Sequence, residues 1–232
     1  MSLFMFIIAI IPPIVLLKIV YSIDSQKESL KLILSMFAVG ILSGSVTILT
    51  VYLIQYYFPQ LEKLNNPQNL YNLFLYVFLT IGIIEEFCKW FFSYNICWKN
   101  RDFDQKYDAI VYAVATSLGF AVLENVLYLM SGELRVGILR GIYSVPGHGI
   151  FAIISGYYIG KAKYDYERGE RKLYKLYKRL SLIVPAIYHT IFDFLLMANQ
   201  TLYTKLFLVF VVFLYLNGII KIIIAYRDQN VV

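Results

Sequence analysis

The sequence predicts an all-α fold, a polytopic transmembrane helical bundle of about seven spans. Three observations carry that prediction. Of the 232 residues, 59% are hydrophobic; the mean hydropathy is +0.65; and apolar runs of about 20 residues, enough for a helix to cross ~30 Å of hydrocarbon, recur along the chain. A soluble chain of this size needs a wetter surface than 16% charged residues provide. The expected spans are about 2–21, 33–57, 70–95, 108–130, 138–160, 180–199 and 202–225. Together they form one integral membrane domain over residues 1–232.

The first span carries Pro12 and Pro13 midway, has no basic stretch before it and shows no small-x-small cleavage site. It is expected to be retained as a span and not removed as a signal peptide. In the second and fifth spans, Gly40/Gly44 and Gly156/Gly160 have the spacing that lets helices approach closely. Only Gln200 and Thr201 separate the sixth and seventh spans, which predicts a tight helical hairpin.

Lys and Arg collect on the cytoplasmic side of short connections. The odd loops are basic: Lys27 and Lys31, then Lys99, Arg101 and Lys106, then eight Lys and Arg between Lys161 and Arg179. The even loops are poor, with Lys63, then Arg135 beside Glu133, then Lys205. This alternation predicts an outside N-terminus and a cytoplasmic C-terminus. It also accounts for the net charge of +6 without nucleic acid as a partner. The segment 161–179 is expected to be a basic cytoplasmic loop, solvated or lying on the anionic inner leaflet of the bilayer. Cys88 and Cys97 lack metal-ligand spacing.

Within the spans, polar residues are few and grouped. The third holds Glu85, Glu86 and Lys89; the fourth Glu124 and Asn125; the fifth His148; the sixth His189 and Asp193. An ionised group in hydrocarbon costs several kcal/mol unless it is paired or hydrated, so each marks a candidate functional position. At 1.5 Å per residue, Glu86 lies ~18 Å above the cytoplasmic end of its span, Glu124 ~24 Å, His148 ~20 Å, His189 ~15 Å and Asp193 ~21 Å. Four helices therefore present polar groups at one level, as the walls of a single cavity would.

The set offers a carboxylate to activate water, a histidine to protonate a leaving amine, and partners to orient them. Lys89 follows Glu85 at i+4, which favours that pair and leaves Glu86 as the expected base. His189 and Asp193, also i and i+4, face the same way.

These residues also carry a family resemblance. The run Glu85-Glu86-Phe87-Cys88-Lys89, then Gly119 to Asn125, then His148 followed by Gly156-Tyr157-Tyr158-Ile159-Gly160, then His189-Thr190-Ile191-Phe192-Asp193, resembles the PrsW family of bacterial intramembrane proteases. More distantly it is similar to the CAAX-processing and bacteriocin-immunity protease superfamily, from which it departs at Lys89 and Ser144. The resemblance covers about residues 80–195, the expected catalytic core. It implies a multi-pass protein of the bacterial plasma membrane that makes the first cut in a single-span membrane protein, typically an anti-sigma factor, near the outer face. It also implies Glu85, Glu86, His148 and His189 as catalytic, supported by Lys89, Glu124, Asn125 and Asp193.

Other chemistries compete for the same groups. Glu, His and Asp are all zinc-capable, but no HExxH is present. The expectation is therefore glutamate catalysis with no metal and no cofactor, with a zinc-dependent version as the alternative. Carboxylates and histidines at mid-membrane also serve proton-coupled transporters, although no internal repeat is visible. A non-catalytic receptor or immunity protein is the third alternative.

Overall fold

The computed structural model describes residues 3–131 and 134–228. Glu133, counted above in the fourth loop, and residue 2 of the first expected span lie outside the described residues. Among the described residues all regular structure is helical, and seven helices are long and apolar enough to cross a membrane. They are α1 (Leu3–Ile23), α2 (Leu30–Tyr57), α3 (Leu70–Cys97), α4 (Asp108–Ser131), α5 (Gly137–Glu167), α6 (Arg171–Met197) and α7 (Thr201–Arg227). The expected spans fall on these helices one for one.

Local chemistry sets several helix ends. Ser29 Oγ accepts the N–H of Leu32 at 3.3 Å at the start of α2, and Asn69 Oδ1 accepts that of Asn72 at 3.1 Å at the start of α3. The Asp108 carboxylate accepts the N–H groups of Gln105 and Asp104 at 2.7 and 3.1 Å, closing the connection into α4. Asn199 takes φ = 46°, a left-handed conformation that Asn tolerates. It turns the chain from α6 into α7, forming the expected hairpin.

The segment 161–179 is not a loop. Helix α5 continues to Glu167 and α6 begins at Arg171, so the connection shrinks to 168–170, with Gly169 at φ = 79°. Lys, Arg, Tyr and Leu are acceptable helix residues. The helices therefore run on past the point where the sequence turns polar, and only the glycine reverses the chain.

Helix α4 is the most deeply buried, packing against α1, α2, α3 and α5. Its crossing with α2 is backbone on backbone: a Cβ on Gly40 would lie 1.9 Å from the Thr116 carbonyl oxygen, and one on Gly119 2.0 Å from that of Phe37. The Gly156/Gly160 pair performs the same service for α5 against Ala109 and Lys106. On α1 and α7 the outward faces, including Ile14, Val15, Ile19, Val209, Val212 and Leu216, are exposed. These surfaces suit lipid, not water.

Two spans are interrupted by a π turn, Phe78–Gly82 in α3 and Arg140–Ser144 in α5. Each inserts a residue into the helical ladder and re-aims the side chains that follow, a device frequent at functional sites. Glu85 and Glu86 follow the first turn and His148 follows the second. Gly82 lets α3 meet α6, since a Cβ there would lie 2.1 Å from Thr190 Oγ1.

Candidate active site

The fold brings the intramembrane polar residues of α3, α4, α5 and α6 into one continuous network. Lys89 Nζ donates to Glu86 Oε1 at 2.8 Å and to Glu85 Oε2 at 3.2 Å. The same nitrogen lies 3.1 Å from His148 Nδ1, and 4.2 Å from the centre of the Phe120 ring. His189 places Nδ1 2.8 Å from Glu86 Oε1, and Nε2 3.3 Å from Asp193 Oδ2 and 3.9 Å from Glu85 Oε2. Phe151 stacks on the His189 imidazole with centroids 4.9 Å apart, fixing its plane.

The donor inventory fixes the tautomer of His148. An ammonium has only donors, so Nδ1 accepts from Lys89. Nε2 then carries the proton and donates to Glu124 Oε2 at 2.8 Å. His148 is thus gripped from both sides by residues of two other helices.

The expected pairing of Lys89 with Glu85 alone is corrected by the geometry. Residues at i+3 and i+4 lie on the same helical face, so one ammonium reaches both carboxylates, Glu86 more closely. Glu86 is 3% exposed, enclosed by Lys89 and His189. Glu85, with 13% of its side chain exposed, faces a cavity of about 600 Å³. That cavity is also lined by Glu124, His148, His189 and Asp193, and its remaining wall is largely apolar, including Ile48, Val51, Leu127 and Leu196.

Asn125 does not face the cavity. Its Oδ1 accepts Arg140 Nε at 2.9 Å and its Nδ2 donates to the Ala9 carbonyl of α1 at 3.4 Å. Arg140 itself went unnoticed in the sequence. Its charge contact to Glu124 Oε2 is 2.7 Å long and its guanidinium lies 4.0 Å from the centre of the Tyr128 ring. The signal is present, a charge inside an apolar run, but it lies two residues from an expected span end, where an anchoring arginine is ordinary.

A sequence profile described as "PrsW family intramembrane metalloprotease" matches residues 28–218. The chain belongs to the PrsW family. "Protease PrsW" of Oceanobacillus iheyensis is 33% identical over 213 residues, 92% of this chain and 92% of that protein. The Bacillus subtilis protein of the same name is 34% identical over 91% of each chain, and that of Clostridioides difficile 32% identical over 93% of this chain and 88% of its own. No solved structure matches the chain significantly. Membership makes this chain a membrane-embedded peptidase and sets aside the transporter and non-catalytic readings.

The family description names a metalloprotease, and the donor set fits an ion. Donor atoms of Glu85, His148 and His189 lie within 4.8 Å of one another, and nitrogen and carboxylate oxygen suit a zinc-type cation. Nδ1 of His189 faces Glu86, the carboxylate–histidine contact that orients a metal-binding imidazole. To join the set, His148 must release Lys89 or Glu124, since each holds one of its nitrogens. The expectation of catalysis without a metal is therefore not upheld.

Proposed function

We propose that this PrsW-family peptidase makes the first cut in a single-span membrane protein of the anti-sigma-factor type, near the outer face of the bacterial plasma membrane. In this reading the N-terminus is outside and the C-terminus cytoplasmic. The observation that carries it is the meeting of Glu85, His148 and His189 on one wall of a cavity of about 600 Å³ whose other walls are mainly apolar. Such a site accepts a hydrophobic segment and still offers water-activating groups.

Glu85, the carboxylate at the cavity wall, takes the proton of the attacking water. Glu86 stays with Lys89 and orients His189. His189, held also by Asp193, returns a proton to the departing amine. Water adds to the scissile carbonyl, the C–N bond breaks, and a carboxylate and an amine leave. Glu85, His148 and His189 are also the residues that would hold a metal ion; bound there, it would polarise the carbonyl and the water in place of the proton transfers of Glu85 and His189.

The test compares membrane proteomes of cells carrying the wild-type chain and Glu85→Ala under envelope stress. A single-span protein shortened near its outer-face boundary only with the wild type is the expected result and names the substrate. If no membrane protein changes length, the proposal fails.

A further inference from the structure

Arg140 lies outside the groups assigned a chemical task above, yet it is wired to them more tightly than a span-end anchor would be. It opens the π turn Arg140–Ser144, and its side chain is 14% exposed. It faces α4 through three consecutive contacts: Glu124 by charge, Asn125 by a hydrogen bond from Nε, and Tyr128 through the ring face. Residues 124, 125 and 128 share one side of α4. Asn125 in turn is tied to α1 through the Ala9 carbonyl.

We propose that Arg140 is a positioning residue, a clamp that holds the Glu124 carboxylate against Nε2–H of His148 and so fixes which nitrogen of that ring faces Lys89. Both Arg140 Nη2 and His148 Nε2 approach the same oxygen, Glu124 Oε2, at 2.7 and 2.8 Å. Without the guanidinium, that carboxylate loses its nearest positive charge and is left with the ring N–H to hold it turned toward His148. The Nη2 contact is a charge contact without hydrogen-bond alignment, whereas Nε makes an aligned bond to Asn125. A lysine therefore keeps the first interaction and loses the second. The π turn is part of the device, because the extra residue between Arg140 and His148 lets both side chains of one helix meet the same carboxylate on another.

The catalytic consequence rests on the role proposed for His148, but the clamp is testable apart from it. The chain has two histidines, so ¹⁵N-histidine labelling of the detergent-solubilised protein, stripped of metal with chelator, gives four ring-nitrogen resonances. In the wild type His148 is expected as a single tautomer protonated at Nε2. In Arg140→Met its resonances should move toward tautomer exchange while those of His189 stay in place, and Arg140→Lys should fall between. If Arg140→Met does not fold, Arg140→Lys still decides. Unchanged His148 resonances in a folded variant overturn the clamp.

Cleavage of the protein shortened by wild-type cells should fall about 10–100-fold in Arg140→Met, the usual cost of losing an outer partner of a functional histidine, and less in Arg140→Lys. Full cleavage despite a shifted spectrum overturns the positioning role. His148→Ala separates the two ideas: if it cleaves normally, the role given to His148 fails, whereas the spectral result still judges the clamp.

Discussion

Lys89 Nζ reaches Nδ1 of His148 at 3.1 Å across 59 positions of sequence while its other contacts hold Glu85 and Glu86. One buried ammonium is thus the shared counter-charge of two carboxylates and a fixed donor to an imidazole. Breaking a buried ion pair from one side typically costs about 3–5 kcal/mol, because the remaining charge is left uncompensated. Lys89→Met should therefore lower the melting temperature markedly as well as abolish cleavage. A variant that melts like the wild type would show that the carboxylates do not depend on Lys89.

The two adjacent glutamates should separate by phenotype. Glu85 meets the cavity, so Glu85→Gln should reduce cleavage by at least about 10²-fold, the usual contribution of a general base, with little change in melting. Glu86 is enclosed between Lys89 and His189, so Glu86→Gln should cost more stability. Cleavage rates and thermal unfolding of the two variants side by side test the assignment; the opposite ranking would exchange their roles.

The site was legible where a residue violates its surroundings. Glu85, Glu86, Lys89, Glu124, His148, His189 and Asp193 stand out because charge in an apolar run is costly, and helix rise alone put them at one level. The finer pairing was not legible, because Lys89 reaches i−3 and i−4 alike and only side-chain packing apportions the contacts. Arg140 and the π turns were missed for different reasons. The first sits where an anchoring arginine is ordinary, and a π turn changes hydrogen-bond register without changing composition. The run 161–179 was misread because polarity marks where hydrocarbon ends, and helix α5 does not end there.

The crossing of α2 and α4 has no room for a side chain at its centre. Gly119→Ala places a methyl 2.0 Å from the Phe37 carbonyl oxygen, and since that neighbour is backbone, the helices must separate. Overpacking of this kind costs about 1–3 kcal/mol. Because Glu124 lies on the same helix, cleavage should fall with stability. Gly169→Ala tests the other end of the chain's glycine usage. Its Cβ meets nothing within 4 Å, but φ is +79°, so the cost there is backbone strain alone and the site should be spared.

At the end of the bundle bearing the 168–170 turn, Glu28 is 7% exposed beneath the start of α2. Burial pushes its carboxyl up to about 7 from the ordinary 4.5, and nearby Asp102, Asp24 and Asp104 add to the rise, against the Tyr112 hydroxyl, which lowers it. A carboxyl that holds its proton more tightly when folded contributes stability that grows as pH falls from 7 toward 4.5 and is lost as pH rises through that window. The solubilised protein should therefore melt higher at pH 6 than at pH 8. Glu28→Gln should flatten that part of the profile and raise the melting temperature at pH 8; an unaltered slope would assign the effect to other groups.

Glu85, His148 and His189 form a candidate site for a metal ion. Their donor atoms converge within 4.8 Å and Nδ1 of His189 faces Glu86, an arrangement that turns Nε2 toward Glu85 and Asp193, so that an ion there would take Nε2 from Asp193. Lys89 opposes this, since a cation 3.2 Å from Glu85 and 3.1 Å from His148 repels a second one, and an ion must displace it or take Nε2 of His148 from Glu124. Protein purified without chelator should carry about one zinc-type ion per chain by elemental analysis, and His189→Ala should lose it while remaining folded. Exhaustive chelation should stop cleavage and added zinc restore it. Should chelated protein without bound metal cleave at full rate, the Lys89-held carboxylates would be sufficient by themselves, and the three converging donors would be a proton-transfer set and not a metal site.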